Sequence, residues 1–524
     1  MGRRSTDKAP DLFLLIKSMT GAEKRYFTIF SSQHVISGQN NYIRLFKAID
    51  KQKLPDEKEL LRLFSGEKFA KQLHRVKNYL YHLIIDSLTR YYSESNIKGR
   101  VTRILEKAEV LYAKGLYSQC SGIVMKAKKI ALQYELYPRM IDILEFERRI
   151  MNHETYFKFS EKDIQTVFRE KEGYLNIINN INDYQTLTRQ LQFFAGKPLE
   201  VIQNNIRSKI IPLFMALQSL QKKAPPLSND ARREYYLGCI FYYLLTGDTK
   251  MHYEYTHRYL SLIETNEYYI TENPNIYITA LCNFLMASLN RNKWDDRFQS
   301  ALSKLDALYH HTPYKEYATE DIRALLFVRL HINKLLFHEK SGHYEKTLKM
   351  IPEIEEGMEK HKTRISPRLN AILHFNLGCN YIGLEEYRKA NHHFGEILNA
   401  PNKEMEDIFY YSKVLSILCH YELRNFELLE YSIKSARRQL SENAGSFKVE
   451  ICFLDLMRKK LLKAGSKREL AQSYIFMREK LSAILEQSGK NGKAEYFNFI
   501  YWTESKIRNR PFREIVREQA GVAA

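Results

Sequence analysis

Along most of the chain the apolar residues recur every three to four positions, the spacing of one helix face, and the alternation expected of strands is hard to find. The first hundred residues show five such segments. Asp11 to Met19 predicts a short amphipathic helix, and Thr20 with Glu23 forms a capping box for a second that runs through Phe30. After a break at Gly38 to Asn41, a third helix is expected from Tyr42 to Lys51. A fourth, Asp56 to Phe64, opens after Pro55, where proline is tolerated, and ends at Gly66. The fifth is long. From Glu67 to Tyr92 the stripe Phe69, Leu73, Val76, Leu80, Leu83, Ile84 and Leu88 is nearly unbroken, and Lys71, Arg75, Asn78 and His82 take the opposite face.

The clearest pattern lies between Ala371 and Glu404. Leu377, Gly378 and Tyr381 mark one helix, Tyr387, Ala390, Phe394, Ile397 and Leu398 the stripe of the next, and Gly383 to Glu386 the turn between them. Gly378 and Ala390 are small where two helices about 8 to 10 Å apart must cross closely, and the aromatic rings fill the space around them. The signature Leu377, Gly378, Tyr381, Tyr387, Ala390 and Phe394 resembles a tetratricopeptide repeat, with His374 where the family usually has Trp and Pro401 one residue early. The resemblance implies an all-α protein built as a right-handed α-solenoid of helical hairpins, preceded by an N-terminal helical cap, and a role in binding other proteins.

Degenerate copies follow the same plan at Gly115 and Tyr117, at Leu237 and Gly238 with Gly247, at Trp294, at Gly342 with Tyr344, and at Phe426. The later intervals exceed the family's about 34 residues and vary, so the stacking is expected to be irregular. Glu135 to Lys223 reads as helical but matches the signature poorly. These patterns predict an N-terminal basic helical domain over 1–96, a repeat region over 97–487 with an internal boundary near 224–230, and a C-terminal capping helix and basic tail over 488–524. In that last segment a helix from Lys493 to Arg508 is expected to cover the last hairpin, which runs Ile451 to Gln487 and turns at Gly465. Arg510, Arg513 and Arg517 would trail behind as a solvated end.

Composition narrows the class. With 524 residues, 44% hydrophobic and only 13 Pro and 21 Gly, the chain can bury large helical cores. The six cysteines are scattered along apolar stripes without paired spacing and read as reduced core residues of a cytoplasmic protein. The early apolar run Leu12 to Ile16 is too short for an export signal. Ile276 to Leu289, interrupted by Thr279, Asn283 and Ser288, is too short to span a membrane.

The net charge of +20 is concentrated at the two ends. Residues 1–103 carry 20 Lys and Arg against 10 Asp and Glu, residues 434–524 carry 19 against 10, and the stretch between is nearly balanced. Such ends either keep capping helices solvated or meet an anionic partner, nucleic acid included. The helix pair Asp56 to Phe64 and Glu67 onward has roughly the length of a DNA-reading helix-turn-helix, on which Arg75 and Asn78 could reach base edges.

Motifs that would carry catalysis are missing. Gly489 to Lys493 lacks the loop length and hydroxyl of a P-loop, and His338, Glu339 and His343 have a spacing that puts the histidines about 140° apart on a helix. No catalytic, metal or cofactor residue is named. The tetratricopeptide resemblance instead implies a concave groove lined by the first helix of each hairpin, here Ile372, Phe375, Asn376 and Cys379. The family's carboxylate clamp is not reproduced, since Phe375, Cys379 and Leu415 stand where it needs polar side chains. An apolar peptide or helix suits the groove better, although the same side chains also suit packing against the preceding hairpin. The sequence thus favours a non-enzymatic interaction scaffold or adaptor for a protein or peptide. The alternative is a regulator that contacts nucleic acid through its basic N-terminal helices and senses a partner through the repeats.

Overall fold

The computed structural model describes residues 9–32, 41–153, 160–197, 199–310, 319–400, 406–442, 447–488 and 497–521, and among them all regular structure is helical. Contacts divide the chain into two compact units, Met1–Asn179 with Tyr314–Glu320, and Asn180–Pro313 with Asp321–Ala524.

The first unit begins with α1 (Ala9–Ser18), α2 (Gly21–Ser32), α3 (Asn41–Lys51) and α4 (Glu57–Leu63). Their apolar stripes close on Leu12, Ile16, Phe27, Leu45, Phe46, Leu80 and Ile84, all nearly sealed from solvent. The capping box forms as the residues predict. The Thr20 N–H donates to the Glu23 carboxylate, and the Glu23 N–H donates to Thr20 Oγ1 at 3.3 Å. Glu23 also accepts from the Tyr92 hydroxyl, which fastens α2 to the long α5 (Leu73–Ser95). The stretch before α5 departs from expectation, because Lys68–Gln72 is a 3-10 turn and the α-helix starts only at Leu73. α5 packs on α6 (Ile97–Ala113), across the boundary expected at Asn96, and the Asn96 side chain caps α6 by accepting from the Gly99 N–H at 2.6 Å. α7 (Tyr117–Gln133) and α8 (Tyr137–Met151) follow, and α9 (Glu161–Ala195) begins in the first unit and continues from Asn180 as part of the second.

In the second unit, α10 (Leu199–Asn205), a π-helical turn Ile206–Ile210 and α11 (Ile211–Lys223) precede the pair α12 (Asn229–Thr246) and α13 (Thr249–Glu264). Next come α14 (Glu267–Thr271), the hairpin α15 (Pro274–Leu289) and α16 (Asp296–His310), then α17 (Glu320–Ser341), α18 (Tyr344–Leu348) and α19 (Ile351–Lys360). The reference hairpin is α20 (Pro367–Gly383) with α21 (Tyr387–Leu398). It is followed by α22 (Glu406–Glu422), α23 (Phe426–Ser441), α24 (Lys448–Lys459), α25 (Lys467–Ser488), α26 (Phe499–Arg508) and α27 (Phe512–Ala520). From α20 to α27 each helix packs on the next.

One turn chemistry recurs at these hairpins. A residue with left-handed backbone ends the first helix at Gly115, Glu135, Asn292, Gly342, Glu385 and Arg424. The following N–H donates back to the carbonyl five residues earlier, at 2.8–3.0 Å, as in His343 to His338 and Glu386 to Tyr381. Gly383, expected in the turn, lies inside α20. A Cβ there would sit 2.2 Å from the Tyr344 ring, so its small size serves a helix crossing. Gly378 does the same against Phe394, whose ring would lie 2.5 Å from an added Cβ, as the sequence predicts for that crossing.

The C-terminal segment corrects the expected frayed tail. Pro511 opens α27, whose Phe512, Ile515 and Val516 are buried, and the two last helices run back over three successive hairpin turns. Trp502 Nε1 and Lys506 Nζ both reach Glu422 at 2.6 Å beside the α22–α23 turn. The Phe512 N–H donates to Glu385 in the α20–α21 turn at 3.4 Å. Arg517 then donates to the Gly342 carbonyl at 3.0 Å and pairs with Glu345 at 2.7 Å, beside the α17–α18 turn. Arg508, Arg510 and Arg513 are likewise ion-paired, with Glu504 and Glu518, Glu514 and Glu518, and Glu345. The expected cap over the chain end is thus a strap along the turns. The stretch 224–230, expected near an internal boundary, lies within the second unit. Tyr184 donates to the Ala224 carbonyl at 2.9 Å, and Asn180 accepts from the Leu227 N–H at 3.0 Å, so the loop is tied to α9.

Candidate functional site

The groove positions implied by the repeat resemblance do not form an accessible surface. Phe375 and Asn376 are each 4% exposed and Cys379 is 1% exposed. Ile372 is half-buried, and its carbonyl is used by the Asn376 side chain at 2.8 Å. The physical reason is that α20 is covered by α18, α21 and α22 together, so these residues pack, with Phe375 against Phe394 at 6.0 Å between ring centroids. The signature residues Leu377, Tyr381, Ala390 and Phe394 belong to the same core, and Tyr387 packs at its edge.

The basic face of the first unit stays open to solvent. Arg75, Asn78 and His82 share one side of α5, with Arg75 and His82 exposed, and Lys71 precedes them in the 3-10 turn. Neither Lys71 nor Arg75 has a carboxylate partner among the described residues. A helix-turn-helix is not what positions them. α4 packs on α3, and the next α-helix begins at Leu73, well beyond the three- or four-residue turn such a motif needs.

An open concave surface lies where the sequence is least repeat-like. A cleft of about 700 Å³ is lined by Arg189, Gln190, Phe193 and Phe194 at the end of α9, by Lys209 in the π turn, and by Pro212 and Leu213 at the start of α11. Its shape follows from local sequence. Pro212 has no N–H to donate and its ring crowds the preceding turn. The backbone there widens, with the Ile211 N–H donating to the Ile206 carbonyl five residues back. The walls are held from behind. Thr188 donates to the Glu234 carbonyl at 2.9 Å, and Phe214 stacks on Tyr242 with 3.7 Å between centroids. Gly238 lets Leu217 and Thr188 approach so closely that a Cβ would lie 2.6 Å from Leu217.

The cleft is apolar inside and cationic at its edge. Phe193 is 60% exposed beside the other apolar lining residues, and Met215 on α11 is 62% exposed, so apolar surface is grouped here. Arg189 reaches the buried Glu234 at 3.3 Å, a carboxylate already taken by Arg233 at 2.8 Å; burial pushes the Glu234 carboxyl up, against the pull of these two guanidinium groups. Lys197 lies over the Phe193 ring at 4.3 Å. Among the described residues no cluster of three metal-ligating side chains occurs, and no helix is long and apolar enough to cross a membrane. No protein-family model and no curated protein sequence matches this chain.

Proposed function

We propose that the chain is a non-enzymatic scaffold, an α-solenoid of tetratricopeptide-like hairpins, that holds an apolar segment of a partner protein in the cleft between α9 and α11. The observation that carries this reading is the exposed Phe193 ring in an open, apolar cleft of about 700 Å³, within the range of about 300–1,000 Å³ typical of ligand sites. Rigid walls favour binding, because less freedom is lost when a ligand docks on a surface already ordered. Panning a displayed library of 16-residue peptides on the full chain, with counter-selection on Phe193→Ala, tests it. The expected result is a set of peptides with spaced apolar anchors that the variant fails to retain; a set retained equally by both chains argues against the cleft.

A second reading places nucleic acid on the first unit, and what favours it is the exposed Lys71 and Arg75 without carboxylate partners. Phosphate contacts release counterions, so binding of a labelled 20-nucleotide single strand should fall steeply with salt, by a slope of about 0.7 per contact. Lys71→Glu with Arg75→Glu should lower that slope. An unchanged slope removes this surface from consideration.

A further inference from the structure

We infer that the segment seated in the cleft is an amphipathic helix of a partner protein, with large apolar side chains on one face and carboxylates along its edges. The inference rests on the scaffold reading of the same cleft. Two features of the cleft argue for it. Its lining is apolar, with Phe193, Phe194 and Leu213 meeting between two helical segments, and such a floor accepts side chains spaced i, i+3 or i+4, and i+7 along a docked helix. Its edges are cationic on both sides, with Arg189 on α9 and Lys209 in the π turn. The only carboxylate drawn to this edge among the described residues is Glu234, which is buried and shared between Arg189 and Arg233. Lys197 and Lys209 have no carboxylate partner among the described residues, so positive charge is in surplus where an occupant would leave the floor and meet water.

A basic helix would add like charges to that edge, at a cost, whereas Glu or Asp at the flanks would complete ion pairs while the apolar face covers Phe193. Lys197 already rests on the Phe193 ring, and a carboxylate arriving above that ring would find the ammonium within reach. The charge pattern thus selects the partner, and the apolar floor supplies the affinity.

The test uses the full chain and three probes: a fluorescein-labelled 18-residue helical peptide with Leu and Phe at i, i+3, i+4 and i+7 and Glu on its polar edges, the same peptide with Lys replacing Glu, and dodecanoate as competitor. Anisotropy is measured on the native chain, on Phe193→Ala and on Lys209→Glu, both at exposed positions, with circular dichroism confirming unchanged helix content. The expected result is at least tenfold tighter binding of the acidic peptide, a loss of about tenfold for both peptides in Phe193→Ala, and a reversed charge preference in Lys209→Glu. If both peptides bind equally, or the basic one tighter, with both weakened by Phe193→Ala, the acidic helix is ruled out while the docking cleft stands. If neither peptide's binding responds to Phe193→Ala, the docking reading itself is overturned. Absence of binding by either peptide, with calorimetry showing dodecanoate bound to the native chain and not to Phe193→Ala, would overturn both in favour of a site for a small anionic amphiphile.

Discussion

Gly378 and Gly383 carry the tightest helix crossings around α20, one under Phe394 and the other under Tyr344. Both rings are buried, so neither can swing away, and even the smallest added side chain must move backbone. Gly378→Ala and Gly383→Ala should each cost about 1 to 3 kcal/mol, read as a lower urea midpoint at unchanged slope. Equal midpoints for variant and parent would show that the rings have room to shift. His393 makes a second residue-scale prediction. It is buried, its Nδ1 lies 3.0 Å from that of His374, and its ring stacks on Tyr381. Burial first, then the neighbouring His374 and His392, push its pKa down to about 3. His252 and His338 are pushed down to about 4 by the same cause. A depressed folded-state pKa means that the unfolded chain binds protons first. The stability from keeping these rings neutral is therefore complete above about pH 6.5 and is lost as pH falls, by up to about 1.4 kcal/mol per unit for each ring. Urea midpoints should fall between pH 7 and pH 5, and His393→Gln should flatten that fall. A midpoint that rose on acidification would contradict the burial of these histidines in neutral form.

At the scale of elements, the strap is the feature with the sharpest test. Arg517 holds α27 to the α17–α18 turn through Glu345 and the Gly342 carbonyl, and Gly342 has the left-handed backbone, φ 71°, that presents this carbonyl. Reversing Arg517 to Glu should destabilise by about 1 kcal/mol, the upper end for a half-exposed pair, and adding Glu345→Arg should restore part of the loss. A double variant no better than the single one would place the contribution in the carbonyl contact alone. The elements also show what the sequence made legible. Capping boxes, glycine turns at Gly115 and Gly342 and the Gly378 crossing were readable, because each has a residue type that its geometry requires. That Glu135, Glu385 and Arg424 take the left-handed position was not, since a charged side chain in that backbone has no signature of its own, although the turn at Gly383 to Glu386 and the hairpin at Phe426 were marked by their neighbours. α27 was missed because its short apolar stripe sits among arginines that resemble a tail until Glu345, Glu514 and Glu518 are seen to pair with them. For the groove candidates on α20 the sequence left packing and groove both open, and the structure shows packing. A sequence shows which residues of a helix are apolar, but not how many of its faces neighbours will cover.

Across the whole molecule, some of the basic charge is paired and some is left open, at the α9–α11 cleft beside exposed apolar surface. The arginines of the strap are held in ion pairs, while Lys71 and Arg75 in the first unit and Lys197 and Lys209 at the α9–α11 cleft in the second have no carboxylate partner among the described residues. The cleft escaped the sequence because its lining comes from two separated stretches, 189–194 and 209–213, joined through a π turn, and neither stretch carries a repeat signature. The central claim is that a partner protein docks there. Site-specific photo-crosslinking tests this, with benzoylphenylalanine placed at Phe193 in the cleft or at Met215 beyond it on α11 and, as an exposed apolar control, at Ile29 in the first unit, each irradiated in the native cell lysate. The same discrete protein adduct is expected from positions 193 and 215, absent from position 29 and, for an acidic occupant, lost when Lys209→Glu is added. Adducts from position 29 alone, or none from positions 193 and 215, would contradict docking; adducts at 193 and 215 that persist unchanged in Lys209→Glu would leave docking standing and remove the acidic helix as occupant.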